Sequence, residues 1–267
     1  AALTTGDNNT AIGFSALTAN TTGTPNTAVG YNAMAANTTG TNNTAIGSGA
    51  LDANTTASAN TAVGRDALTA NTTAPNNTAV GNFALGANTT GTENTAVGSD
   101  VLATNTTASY NTAVGFNSGN ANTTGSQNTF IGRYAGAANT TGADCVVVGS
   151  GAFSTNTTGT SNTAVGKGAL NANTTGDYNT AIGRDALLSN TTASNNTAIG
   201  TSSLDANTTG DHNVGIGAGT LGALTTATNN VAIGRDALTL SNASENVSIG
   251  AYSLDANTTG GNLVAVG

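Results

Sequence analysis

A chain of 267 residues with 7% charged side chains, 4% aromatics and no tryptophan has little from which to build an ordinary globular core. Its net charge of -8, with five Lys and Arg in all, excludes the basic stripe that phosphate recognition requires. No apolar run approaches the roughly 20 residues of a membrane-spanning helix, and no secretory leader pattern opens the sequence.

Disorder is the usual fate of so polar a chain, but disordered segments lack regularly placed β-branched residues. Here they are strictly regular. The phrase Asn26-Thr27-Ala28-Val29-Gly30 recurs so that its glycine falls at Gly13, Gly30, Gly47 and onward to Gly234 in steps of 17. Gly250 follows after 16 residues and Gly267 after 17. A constant short period makes the chain a repeat array, with 1–267 a single domain.

The first element of each repeat is a short strand. Thr27 of the phrase is exchanged for Val in Val146, Val214, Val231 and Val247, while the position of Val29 holds only Val or Ile. Between them the Ala site accepts Phe130, Val147, Gly215 and Ser248. These exchanges predict a period-two strand with Thr27, Val29, Thr44, Ile46, Thr61 and Val63 directed inward and Ala outward. The glycine that follows predicts a corner, where φ is positive or the backbone crowded.

Four residues after the glycine comes a second inward site: Leu17, Met34, Leu51, Leu68 and their successors. Gly119 and Gly136 interrupt it in consecutive copies, which predicts underfilled coils unless Phe116 or Tyr134 folds over them. Then comes Asn-Thr-Thr, thirteen times between Asn20 and Asn257, followed by Gly or Ala and read as a second short strand or a corner. Charges and most aromatics fall in the variable pairs, as in Arg65-Asp66, Arg184-Asp185, Arg235-Asp236, Phe14 and Tyr31. Cys145 stands where most copies have Asn, and as the single cysteine it forms no intrachain disulfide. The 16-residue copy from Gly234 to Gly250 loses the Asn-Thr-Thr phrase and reads as one shortened corner or, alternatively, a kink or lateral contact.

Seventeen residues bury almost nothing alone, so the units must stack. Ala-Asn-Thr-Thr-Gly is a poor helix interior. The expectation is an all-β parallel β-solenoid (a β-roll) with one 17-residue repeat per coil and about 16 coils. At about 4.8 Å per rung that is a rod roughly 75 Å long. The chain starts at Ala1-Ala2-Leu3-Thr4-Thr5-Gly6 already in register and ends on the repeat glycine, without a polar cap at either end. It reads as a segment of a longer fibre or as a unit that stacks end to end.

In its Val form, Asn230-Val231-Ala232-Ile233-Gly234, the phrase resembles the Ser-Val-Ala-Ile-Gly repeats in the heads of trimeric autotransporter adhesins. That resemblance implies a left-handed parallel β-roll, with three chains associating into a surface rod. The whole chain is also similar to the Asn-Thr-Ala-Ile-Gly repeats of tail-fibre-like bacterial surface proteins.

The residues offer no catalytic set. The one histidine, His212, lies beside Asp211 in a variable corner, with no nucleophile and base placed around it. The Gly-Gly-x-Gly-x-Asp calcium roll is not matched, and neither metal nor cofactor is expected.

The Asn-Thr-Thr column, including Asn20, Thr21, Asn37, Thr38, Asn54, Thr55, Asn71, Thr72, Asn88 and Thr89, admits three readings. Stacked amides can hydrogen-bond along the axis. Each Asn is formally an N-glycosylation sequon. A regular uncharged Thr array can also order water as an ice-binding face.

The sequence therefore points to a non-catalytic structural or adhesive segment of an extracellular or cell-surface fibre. Its expected partners are copies of itself, stacked end to end, as a trimer or in a lateral bundle. An ice-binding protein is the alternative, and a glycan-bearing rod, or one that binds glycans through corner aromatics, is the third.

Overall fold

The computed structural model describes residues 6–267, so the opening Ala1–Thr5 stretch of the register lies outside the described residues. The protein is a parallel β-solenoid without helices among the described residues. Two compact units divide after Arg133. The first holds β1 (Thr10–Ile12), β2 (Thr27–Val29), β3 (Thr44–Ile46), β4 (Thr61–Val63), β5 (Thr78–Val80), β6 (Thr95–Val97), β7 (Thr112–Val114) and β8 (Thr129–Ile131). The second holds β9 (Val146–Val148), β10 (Thr163–Val165), β11 (Thr180–Ile182), β12 (Thr197–Ile199), β13 (Val214–Ile216), β14 (Val231–Ile233), β15 (Val247–Ile249) and β16 (Val264–Val266).

Within each unit every strand pairs in parallel with the next along the chain, residue on equivalent residue. Thr27 lies opposite Thr44, Ala28 opposite Ala45 and Val29 opposite Ile46. The shortened copy does not disturb this register, since Val231 pairs with Val247 and Ile233 with Ile249. Its missing residue comes out of the corner, as the bland reading of that copy expects. Asn242 enters this corner, and its side-chain oxygen accepts the backbone N–H groups of Thr225 at 3.0 Å and Thr226 at 3.3 Å.

The strand faces the other way from the sequence expectation. Ala28, Ala45 and Ala62 are fully buried, whereas Thr27, Val29, Thr44, Thr61 and Val63 are half-buried and Ile46 is 41% exposed. The branched residues line the outside of the coil, and the small residue between them faces in. The reason is width. The Ala-Leu stretch of the coil stands opposite the strand and fills the interior with Leu51, Leu68, Leu85 and their equivalents, all fully buried. Room remains for little more than a methyl group.

The two copies with Gly at the Leu site demonstrate this limit. A Cβ at Gly119 would lie 2.7 Å from the Phe130 ring and 2.9 Å from Leu102. Phe130, fully buried, therefore occupies the volume that Leu would have taken in the same coil. Gly136 likewise shares its coil with an enlarged inward residue, the fully buried Val147. The coil of Gly119 does not rely on Phe116, which stays 44% exposed, and its filling comes from the strand; Tyr134, in the coil of Gly136, is half-buried.

The corners set the backbone requirements. Gly30 has φ 139°, and a Cβ there would overlap the carbonyl oxygen of Gly47 in the next coil. Both the dihedral and the stacking distance exclude other residues. The Leu site adopts a left-handed conformation in copy after copy, with φ 53° at Leu17, 50° at Met34 and 54° at Leu51. That conformation costs a non-glycine residue about 1–2 kcal/mol. It is retained because the turn aims the side chain into the core and directs the Leu17 N–H onto Ala33 O of the next coil at 3.0 Å. Gly119 and Gly136, with φ 57° and 58°, keep this turn without the strain.

Restoring leucine in the first exceptional coil tests the volume argument. Gly119→Leu alone should destabilise the fold by about 1–3 kcal/mol through overpacking. Adding Phe130→Ala should recover much of that loss, so a double-mutant cycle by chemical denaturation should be strongly non-additive.

Candidate functional site

The Asn-Thr-Thr stretch folds as a bend with axial hydrogen bonds rather than as a second strand. Its asparagines point inward: Asn20 is 1% exposed, and Asn37, Asn54, Asn71 and Asn88 are fully buried. The Nδ2 of Asn37 donates to Asn20 Oδ1 at 2.9 Å and to Gly40 O at 3.2 Å. Asn54 repeats this on Asn37 at 2.8 Å, and Asn88 on Asn71 at 3.1 Å. The amides thus form a buried axial ladder, and the Asn members of the expected surface column are not on the surface. In a folded coil their Nδ2 atoms are enclosed and donating, so the sequons present no nitrogen to a glycan.

A second amide ladder runs through the asparagine that precedes each strand. Asn26 Oδ1 accepts the backbone N–H of Asn43 at 2.9 Å, and Asn43 Oδ1 accepts that of Asn60 at 2.9 Å. Asn26 Nδ2 crosses to Gly40 O at 2.8 Å, the same carbonyl that receives Asn37. One Gly or Ala carbonyl per coil therefore joins both ladders. No buried side-chain nitrogen or oxygen among the described residues is left without a partner. The sequence reading singled out the first ladder for its repetition and passed over the second, although Asn26, Asn43, Asn60 and Asn77 are equally regular.

The regular threonines of the coil fall into three sets: the first and second of the Asn-Thr-Thr bend and the one that opens each strand; the second of the bend, as at Thr39, Thr56 and Thr73, is exposed. The hydroxyls of Thr21, Thr38, Thr55 and Thr89 donate to the carbonyl of the equivalent Thr one coil on, at 3.0, 3.0, 3.2 and 2.9 Å. Thr72 stands exposed in the same column. These donors are committed to the scaffold. The strand threonines are different: at Thr27, Thr44, Thr61, Thr78, Thr95, Thr112 and Thr129 no hydroxyl donates to a protein acceptor, and each stands beside a Val or Ile column in register.

Charged and aromatic side chains occupy the corners, as their placement in the sequence predicts. Arg65 pairs with Asp66 at 3.3 Å, and Phe14 stacks on Tyr31 with centroids 5.7 Å apart and planes inclined by 11°. Such exposed pairs contribute little to stability. Half-buried Asp205 has its pKa raised, chiefly by burial and in part by the charge of Asp185. Among the described residues no group of three or more His, Cys, Asp or Glu could share a metal ion, and within each unit no cavity opens.

Cys145 replaces one rung of the second ladder. Its Sγ donates to Ala143 O at 3.3 Å and Gly159 O at 3.6 Å. Burial lifts the thiol from its ordinary 9.0 to about 11, with the charges of Asp144 and Asp177 adding to the rise and backbone hydrogen bonds opposing it.

No family model, curated protein or solved structure matches this chain.

Two measurements test the interior. Asn71→Ala leaves Asn54 Oδ1 and Asn88 Nδ2 without their buried partner and should cost about 1–3 kcal/mol in chemical denaturation. Thr73→Ala, at an exposed position of the same bend, should stay within about 0.5 kcal/mol. For Cys145, the folded chain holds a proton that the unfolded chain releases between the ordinary and the raised pKa. Stability should therefore fall as pH rises from about 9 to about 11, by up to about 2–3 kcal/mol. Titrating urea midpoints across that window for the wild type and Cys145→Ala should isolate this contribution, because the variant lacks it.

Proposed function

We propose that the protein is a non-catalytic segment of an extracellular fibre, structural or adhesive, built to associate with copies of itself. One observation carries the reading. Coil after coil offers its successor the same groups that its predecessor offered to it, strand edge, two amide ladders and glycine corner, with the ladders interrupted only at Leu224 and Ser241 and at Cys145 and Leu263 among the described residues. A unit with that translational self-complementarity extends without a limit set by its own design, which is the requirement for a rod.

Variation between coils supports the same reading. It collects in the corner pairs, where Tyr31, Ser48, Arg65, Asn82 and Ser99 succeed one another at one position. A catalytic site would demand specific side chains converging from several coils, whereas an interaction surface tolerates such a series. The similarity of Asn230-Val231-Ala232-Ile233-Gly234 to the repeats of trimeric surface adhesins points in the same direction.

The experiment is electron microscopy of purified protein, paired with mass by light scattering. Elongated particles that join end to end or side by side, with masses at multiples of 25.6 kDa, are the expected result. Compact monomers that remain single at high concentration would count against the reading.

A further inference from the structure

We infer that the outer face of the sheet in the first unit, from β2 to β8, is an ice-binding surface. This inference goes beyond the fibre reading and does not depend on it.

The face consists of two parallel columns. One contains Thr27, Thr44, Thr61, Thr78, Thr95, Thr112 and Thr129, and the other Val29, Ile46, Val63, Val80, Val97, Val114 and Ile131. Pairing holds both in strict register. Rows are therefore about 4.8 Å apart along the axis, and columns roughly 6.6 Å apart across the strand, two residues of extended chain. The strands carry no charged residue; Arg65, Glu93 and Arg133 lie in the flanking corners.

The chemistry of this face differs from that of the bend, whose second Thr (Thr56, Thr73, Thr90) is exposed but has no Val or Ile column beside it, and whose first Thr is committed to the scaffold. On the strand face the Thr hydroxyls donate to no protein acceptor, and the side chains are half-buried, or exposed at Thr112, beside branched residues such as Ile46 at 41%, Val97 at 36% and Ile131 at 39% exposure. Methyl groups restrict the orientation of first-shell water, and hydroxyls fix individual waters by hydrogen bonds. Each contribution is small, and they accumulate over seven strands only against a partner that is itself periodic and uncharged.

Ice meets that description. A glycan or peptide in solution does not repeat in two dimensions. A second copy of the chain is also periodic, but docking it here would exchange water for an opposing Thr at each hydroxyl, a substitution with little net gain. The second unit makes the contrast internally. Val146, Val214, Val231, Val247 and Val264 replace Thr there, which leaves the mixed array only in Thr163, Thr180 and Thr197. The uninterrupted hydroxyl-bearing face thus runs over seven strands, β2 to β8, in the first unit and over three in the second.

The test uses the full chain in thermal-hysteresis and ice-shaping measurements, with circular dichroism melts to verify folding. Wild type should hold a hysteresis gap and facet the crystals. Thr61→Lys combined with Thr95→Lys places charge on the face at outward positions, so the fold should persist while hysteresis drops to the buffer baseline. Thr56→Lys combined with Thr90→Lys, on the exposed side of the Asn-Thr-Thr bend, should leave hysteresis unchanged. Folded wild type that leaves ice unaltered would overturn the proposal, as would equal loss in both variant pairs. A stable oligomer by light scattering that only the Thr61/Thr95 pair dissociates would assign the face to a second copy and overturn it as well.

Discussion

A coil of seventeen residues encloses so little volume that its backbone has nowhere to bury polar groups except against one another. The amide ladders resolve that constraint. Asn37 binds the preceding coil through its Nδ2, Asn43 through its backbone N–H, and both ladders meet at a Gly or Ala carbonyl. Buried amides left unpaired would each incur the uncompensated cost of desolvation. Fully paired, they fix the axial spacing and let a core of one Leu and two Ala per coil suffice.

The remaining features adapt to that spacing. Stacking brings backbones close enough at the corner that a Cβ at Gly30 would collide with Gly47. The left-handed leucines aim large side chains into an interior only one residue wide, and the fold retains their strain in copy after copy. Where the leucine disappears, at Gly119, the strand opposite contributes Phe130 to the vacated space. In that coil the two inward positions compensate for one another, as close packing requires.

This internal economy places the branched residues outside. With Ala filling the inward position of the strand, Thr27 and Val29 face solvent, and strict register turns them into columns. A face that would be unremarkable in one strand acquires order by repetition. Corners vary freely because their side chains stay outside the core, and contacts between them such as Phe14 on Tyr31 are exposed, so recognition, association and solubility can be modified there at little cost to the scaffold.

Much of this was legible in the residues. The spacing of Gly13, Gly30 and Gly47 determined a stacked solenoid, because only equivalent residues meeting one another make a seventeen-residue unit stable. It also determined the glycine corner, the leucine site and the exposed variable pairs. Which face of the strand looks inward was not legible from the Thr-to-Val exchange, since an isosteric swap is equally acceptable on a half-exposed surface. The decisive evidence was the coincidence of Gly119 with Phe130, and of Gly136 with Val147, inside single coils. That signal was present in the sequence, but its meaning depends on knowing that the leucine stands across from the strand. Tertiary structure decided this, because the direction of a side chain is set by the distance to the opposite wall, and no local pattern records that distance.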